Sequence, residues 1–262
     1  MHRNSAAIKY SASPANPVAI DGLIEIFDVN ALDSLVTRRT AGTDQPHTYL
    51  IYGHSEVVLP AAVQQRSEQS LSCRWLMLQL LQLLHPTVHH AWSISYNSTG
   101  APRLFVDGIQ SQYQLSFSHS RNHYAAALST IAGVAVDIEC CGSQRNYVAL
   151  GEYLGWKLED VSEPGFLARW TLWEACAKIS AQSVLSERIS AFEQLQHSAR
   201  PNQLIQADAW HALQLPLQDR AMLCLLLAHP QRSALGFRAA DLVGIQASEL
   251  PLSNHYRRAA GH

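Results

Sequence analysis

The segment of residues 112–139 reads QYQLSFSHSRNHYAAALSTIAGVAVDIE and carries the clearest indication of the fold. Its pattern of apolar and polar residues predicts strands over 112–117 and 123–129, and a third, more buried strand over 132–139. Further strands are predicted on both sides of it, at 23–27, 48–52, 203–213 and 221–228, and helices at 67–84, 144–156 and 165–180. Because helices and strands do not alternate strictly, this order favours an α+β fold over a doubly wound parallel sheet.

The composition excludes several classes of protein. The chain has 262 residues, of which 47% are hydrophobic and 15% are charged, so it can build a core and is not expected to be disordered. A net charge of −2 argues against electrostatic binding to nucleic acid or to an anionic membrane. The apolar runs are too short to cross a bilayer, and no secretory signal is visible. Five cysteines without a C-x-x-C pattern indicate a reducing compartment, so we predict a cytoplasmic protein.

Two carboxylates interrupt the apolar segment VAVDIE at 134–139. Asp137 and Glu139 are two positions apart and project from one face of a strand, where like charges repel and burial is costly. A divalent cation removes both problems, and oxygen ligands of this kind suit Mg²⁺. The alternative is a strand end whose acids face water or Arg145. A magnesium-dependent nuclease is disfavoured, because such sites commonly place a lysine where this chain has Cys141.

A second polar pair lies in the helical segment RWTLWEACAKIS at 169–180. Glu174 and Lys178 are four positions apart, so they share a helix face. An ordinary surface ion pair would explain them. The chain has only three lysines, however, and the rest of this helix is made mostly of Trp, Leu, Ala and Cys. The pair is therefore also consistent with a polar patch on a buried element.

The third segment is FSHS at 117–120. Ser118 and His119 face opposite sides of a regular strand, so they cannot act together as nucleophile and base, whereas Ser118 and Ser120 share a face. Hydroxyl, imidazole and backbone N–H groups at a strand end can hold a phosphate. Ordinary polar capping of a strand that leaves its sheet is the alternative.

Taken in order, these three segments resemble the signature of the Sfp-type 4′-phosphopantetheinyl transferases. That signature is an S-H-S element after a strand, a G-x-D-x-E strand and a W-x-x-K-E-x-x-x-K helix. The likeness covers residues 117–178 and extends more weakly to the first long helix, which carries Arg74. The resemblance implies two similar α/β subdomains related by a pseudo-twofold axis, which we place at residues 1–132 and 133–262, and a monomer.

The resemblance also implies an activity. The family transfers the phosphopantetheine arm of coenzyme A (CoA) to a serine of an apo acyl or peptidyl carrier protein, with Mg²⁺, and releases 3′,5′-ADP. Such carriers serve fatty-acid, polyketide or nonribosomal peptide biosynthesis. By resemblance, the metal ligands are Asp137, Glu139 and Glu174. The catalytic residues are Glu174, as the base or as the residue that orients a water acting as base, and Lys178 at the phosphate. The CoA-binding residues are Arg74, Arg103, Ser118 and His119, of which Ser118 and His119 hold the 3′-phosphate.

Three positions depart from the family pattern. Ala135 replaces the glycine of G-x-D-x-E, Trp173 replaces the lysine before the helix glutamate, and Ala101 replaces the lysine of a glycine-lysine-proline turn. The two lost lysines leave a second interpretation open. In it, the chain is a member of the same fold with lost or altered transferase activity that binds CoA, a nucleotide or a carrier protein.

Overall fold

The computed structural model describes residues 22–28, 47–54, 66–85, 90–130, 132–142, 146–156, 163–186, 188–197, 204–217, 221–228 and 235–239. Four helices lie in these segments, namely α1 (Arg66–Leu84), α2 (Tyr147–Tyr153), α3 (Glu163–Ile179) and α4 (Ser190–Leu195). None of these four helices is long and apolar enough to cross a membrane.

The described segments also contain strands β1 (Gly22–Asp28), β2 (His47–His54), β3 (Trp92–Tyr96), β4 (Pro102–Val106), β5 (Ile109–Ser120), β6 (His123–Ser129), β7 (Gly133–Cys140), β8 (Leu204–Ala207), β9 (Trp210–Leu217), β10 (Ala221–Ala228) and β11 (Leu235–Ala239). They form a seven-stranded sheet in the order β11-β1-β2-β6-β5-β4-β3 and a four-stranded sheet in the order β7-β10-β9-β8. In the larger sheet β1 pairs in parallel with both β2 and β11, and the other pairings in both sheets are antiparallel. The α+β prediction is confirmed.

The sheets and helices are stacked in four layers. Helix α1 packs on one face of the larger sheet through residues such as Leu76 and Leu80. The other face packs on the smaller sheet, and Leu50 and Val136 both belong to the core between the two sheets. Helix α3 covers the outer face of the smaller sheet and contacts Ala135. Because side chains alternate along a strand, Asp137 and Glu139 of β7 also face the α3 side.

Most of the predicted elements are present, with two differences. The single strand predicted over 203–213 is wrong: it is a hairpin of β8 and β9, with a turn at 208–209 in which Asp208 has φ of 51°. The helix predicted over 144–156 is shorter, since α2 begins after Asn146, whose side chain accepts a hydrogen bond from the Ala149 N–H. Arg145, a suggested partner of the strand acids, lies outside the described residues.

Candidate active site

The three predicted acids lie where α3 packs on β7. Asp137 and Glu139 are buried, with 2% and 6% of their surface exposed, and Glu174 on α3 is partly buried. Glu174 and Asp137 are close enough for the Asp137 charge to act on Glu174, and the charge of Glu139 acts on both. The structure therefore brings together side chains that are 35 or more positions apart in the sequence.

Lys178 is joined to this acidic group. Its Nζ lies 2.6 Å from Asp137 Oδ1, 3.0 Å from the Val136 carbonyl oxygen and 3.2 Å from Ser118 Oγ. The Lys178 side chain keeps 32% of its surface exposed, but its amino group reaches a carboxylate that is only 2% exposed. Lys178 thus forms an ion pair across two elements, with one partner fully buried.

The pKa values of the group reflect burial and mutual repulsion. Burial raises the pKa of the Asp137 carboxyl, although the Lys178 ammonium opposes the rise. Burial and the Asp137 charge raise the pKa of Glu174 to about 8. Burial lowers the pKa of Lys178, but the charges of Asp137 and Glu174 outweigh it and hold that pKa above its ordinary value. At neutral pH Glu174 therefore holds a proton and Lys178 is charged.

This protonation makes stability depend on pH. An ordinary glutamate loses its proton near pH 4.5, whereas Glu174 in the fold retains it until about pH 8. Between these values the folded state binds more protons than the unfolded state, so stability falls as the pH rises. Allowing for solvent screening, we expect Glu174→Gln to raise Tm by about 3–6 °C near pH 8.5 in EDTA, and by about 1 °C or less near pH 4.5.

Glu152 provides the matched control, because it is an exposed glutamate on α2. Glu152→Gln should change Tm by about 1 °C or less at both pH values. Thermal unfolding followed by circular dichroism measures both variants. An equal response of the two variants at high pH would show that Glu174 carries no burial penalty.

The donor set matches what Mg²⁺ requires, although the acids are not arranged as a complete metal centre. Among the residues described, no three His, Cys, Asp or Glu side chains are grouped so that they could hold a metal ion. The Asp137 Oδ2 atom is nevertheless buried without a hydrogen-bond partner, while Oδ1 is held by two donors. Carboxylate oxygens are the ligands that Mg²⁺ prefers, and binding of a dication would release the proton that Glu174 holds.

A cleft of about 700 Å³ adjoins the acidic group through Lys178. Its volume falls in the range of roughly 300–1,000 Å³ that is usual for small-molecule sites. Three basic side chains line it, Arg103, His119 and Lys178, and no acid is among its described lining residues. One wall is the turn at 97–101, where Asn97 Oδ1 accepts hydrogen bonds from the backbone N–H groups of Thr99 and Ala101. The cleft is suited to a polyanionic ligand.

The four predicted CoA-binding residues occupy different positions relative to this cleft. Arg103 and His119 line it. Arg74 lies behind Tyr96, a lining residue: Arg74 Nε donates to the Tyr96 hydroxyl at 3.3 Å, and the guanidinium stands 4.8 Å from the ring centroid. Ser118 is buried, and its Oγ donates to Asp137 Oδ1 at 2.8 Å. Only two of the four side chains are therefore presented directly to the cleft.

Two of the three departures from the family pattern lie in the core. Trp173 packs against Phe192 with ring centroids 4.8 Å apart, and its Nε1 donates to the Val184 carbonyl at 2.8 Å. Ala135 is 1% exposed and belongs to the same core. Neither residue lines the cleft, whereas Ala101 does. Trp173 therefore does not obstruct the cleft. Of the three positions, only Ala101, where the family pattern has a lysine, lies at the cleft.

Ser118 and Lys178 are placed like the nucleophile and base of a serine–lysine catalytic pair. Ser118 Oγ lies 3.2 Å from Lys178 Nζ, a distance at which a lysine could serve as base. A base must be neutral, however, and the adjoining acids hold the pKa of Lys178 above its ordinary value. The Ser118 hydroxyl also donates its proton to Asp137. Both observations argue against nucleophilic attack by Ser118.

The sequence interpretation missed Ser120 as a site residue. Its Oγ donates to Glu139 Oε2 at 2.7 Å, as Ser118 does to Asp137. The signal available in the sequence was that Ser118 and Ser120 are two positions apart, as are Asp137 and Glu139.

A comparison of the chain with models of known protein families and with curated proteins finds no match.

Proposed function

We propose that the protein transfers the 4′-phosphopantetheine arm of CoA to a serine of an apo acyl or peptidyl carrier protein. The observation that carries the proposal is the meeting of Asp137, Glu139, Glu174 and Lys178 beside a basic cleft of about 700 Å³. The resemblance of the three segments to the Sfp-type 4′-phosphopantetheinyl transferases supports the same activity. It also supports a pseudo-twofold fold and a monomer. Mg²⁺, held by the three acids, would supply Lewis acidity at the diphosphate.

The chain's own residues have separate tasks in this reaction. The carrier serine oxygen forms a bond to the phosphorus next to pantetheine, and the bond to 3′,5′-ADP breaks. Once metal binding has released its own proton, Glu174 accepts the serine proton, and Lys178 stabilises negative charge on the phosphate oxygens. Arg103 and His119 bind the phosphates of CoA in the cleft. Because the nucleophile belongs to the carrier, this chain requires no activated serine or cysteine.

The test is a mass measurement. The protein is incubated with CoA, Mg²⁺ and a set of apo carrier proteins from fatty-acid, polyketide and nonribosomal peptide synthesis. A phosphopantetheine increment on any carrier, absent in EDTA, supports the proposal. Bound CoA without an increment on any carrier would instead favour the same fold with lost or altered activity, the interpretation that the missing lysines left open.

Arg103 should affect substrate binding more than the chemical step. It lines the cleft from β4, on the side of the missing lysine at Ala101. We expect Arg103→Met to raise KM for CoA about tenfold and to change kcat by about twofold or less. The control is Arg188→Met, which removes an exposed arginine paired with Glu193 and absent from the described cleft lining. Steady-state kinetics with varied CoA distinguish the two, and equal KM values would remove Arg103 from the CoA site.

A further inference from the structure

Three serines of β5 line the free edge of β7. Because they occupy alternate positions, their side chains share a face of β5. Each hydroxyl accepts a hydrogen bond from a β7 backbone N–H, and the pairs are Ser116 with Val136 at 3.0 Å, Ser118 with Ile138 at 3.2 Å and Ser120 with Cys140 at 3.2 Å. The constant offset of 20 positions shows that β5 and β7 run in the same direction. The serines therefore satisfy an edge that would otherwise expose unpaired donors.

Two of these serines make a second bond that the third does not. Ser118 Oγ donates to Asp137 Oδ1 at 2.8 Å, and Ser120 Oγ donates to Glu139 Oε2 at 2.7 Å. Ser116 bonds the Val136 N–H, and within the described residues it contacts no carboxylate. Two serines of β5 thus each hold one carboxylate of β7, that of Asp137 or Glu139, through one of its two oxygens.

A hydroxyl has one proton, which limits what Ser118 can bind. The Ser118 hydroxyl uses that proton in its hydrogen bond to Asp137, while its oxygen accepts hydrogen bonds from the Ile138 N–H and from Lys178 Nζ. A phosphate oxygen needs a donor, so Ser118 could bind a phosphate only by releasing Asp137. Lys178 holds the same Oδ1 atom, and the other oxygen, Oδ2, is the one left without a partner.

We infer that Ser118 and Ser120 are positioning residues for the acids of the proposed metal site, and that Ser118 does not hold the 3′-phosphate. This inference rests on the proposed function. Each serine fixes the side-chain rotamer of one carboxylate, and for Asp137 this leaves Oδ2 available to a cation. Hydrogen bonds that orient metal ligands typically contribute about 10–100-fold to metal affinity.

The test compares three matched variants, Ser116→Ala, Ser118→Ala and Ser120→Ala. All three lose one bond to the β7 edge, and Ser118→Ala and Ser120→Ala also lose a bond to a carboxylate. We therefore expect decreases in Tm of about 2–6 °C, with the smallest for Ser116→Ala. Mn²⁺ affinity, titrated by electron paramagnetic resonance, should fall about 10–100-fold for Ser118→Ala and Ser120→Ala and by about threefold or less for Ser116→Ala. Ser118→Thr, which retains the hydroxyl, should restore much of the lost affinity. If Ser118→Ala does not fold, the less buried Ser120 carries the same comparison.

Equal losses of Mn²⁺ affinity in the three alanine variants would overturn the inference, since the serines would then only join the two sheets. CoA affinity measured in EDTA tests the alternative role of Ser118: a tenfold loss in Ser118→Ala with unchanged Mn²⁺ affinity would assign Ser118 to the phosphate. If the wild-type protein binds no Mn²⁺, the proposed metal site itself fails, and the inference falls with it. Failure of the metal site can be distinguished from failure of the inference about the serines, because it is seen with the wild-type protein.

Discussion

Asp137→Asn should abolish magnesium-dependent transfer while leaving the fold intact. The amide retains an oxygen that can accept from Ser118 and Lys178, but it lacks the negative charge that holds a dication. We expect the transfer rate to fall about a thousandfold or more. The Tm should change by only a few degrees, because the substitution also removes repulsion from Glu139 and Glu174.

The control for this variant is Asp107→Asn. Asp107 is exposed between β4 and β5, where it accepts from the Ala91 N–H and bonds His90. Its loss should change the rate by about twofold or less. Rates come from the mass increment on the apo carrier at saturating CoA. Full turnover by Asp137→Asn would remove Asp137 from the metal site.

Lys178→Met should reduce the rate far more than it reduces CoA binding. The variant retains an apolar side chain of similar length but removes the ammonium that contacts Asp137 and borders the cleft. Loss of one charged group at the reacting phosphate typically costs about 10²–10³ in kcat, and we expect a change of that size. The Kd for CoA should rise by about threefold or less, because Arg103 and His119 remain.

Lys178→Arg distinguishes charge from shape. It preserves the positive charge beside Asp137 and should retain more activity than Lys178→Met. In Lys178→Met, Asp137 keeps only the Ser118 donor on Oδ1 and should take up a proton near neutral pH. A rate for Lys178→Met within about twofold of wild type would show that the ion pair is structural only.

The sequence allowed two pairs of polar side chains to be predicted to share a face, because the signals for each pair are local. Asp137 and Glu139 are two positions apart on a strand, and Glu174 and Lys178 are four apart on a helix, so each pair shares a face whatever the tertiary structure. The strands around them were predicted from the pattern of apolar and polar residues, which is also a local signal. What brings the two pairs together is the packing of α3 on the outer face of the smaller sheet.

Features that depend on distant contacts could not be predicted. The parallel pairing of β1 with β11 joins residues such as Gly22 and Leu235, and no local pattern specifies it. The role of Ser118 depends on β5 lying beside the edge of β7, which its own sequence does not reveal. The position of Trp173 could not be predicted either, since its ring packs against Phe192 in the core of the helical layer.

A crystal structure with CoA and Mn²⁺ would show whether Asp137, Glu139 and Glu174 bind a metal ion beside the diphosphate. Anomalous scattering locates Mn²⁺ independently of the carboxylates around it. We expect one anomalous peak between the Asp137, Glu139 and Glu174 side chains, next to the diphosphate of CoA in the cleft that Arg103 and His119 line. Density for CoA in that cleft without a peak at the three acids, or with the metal bound elsewhere, would contradict this expectation.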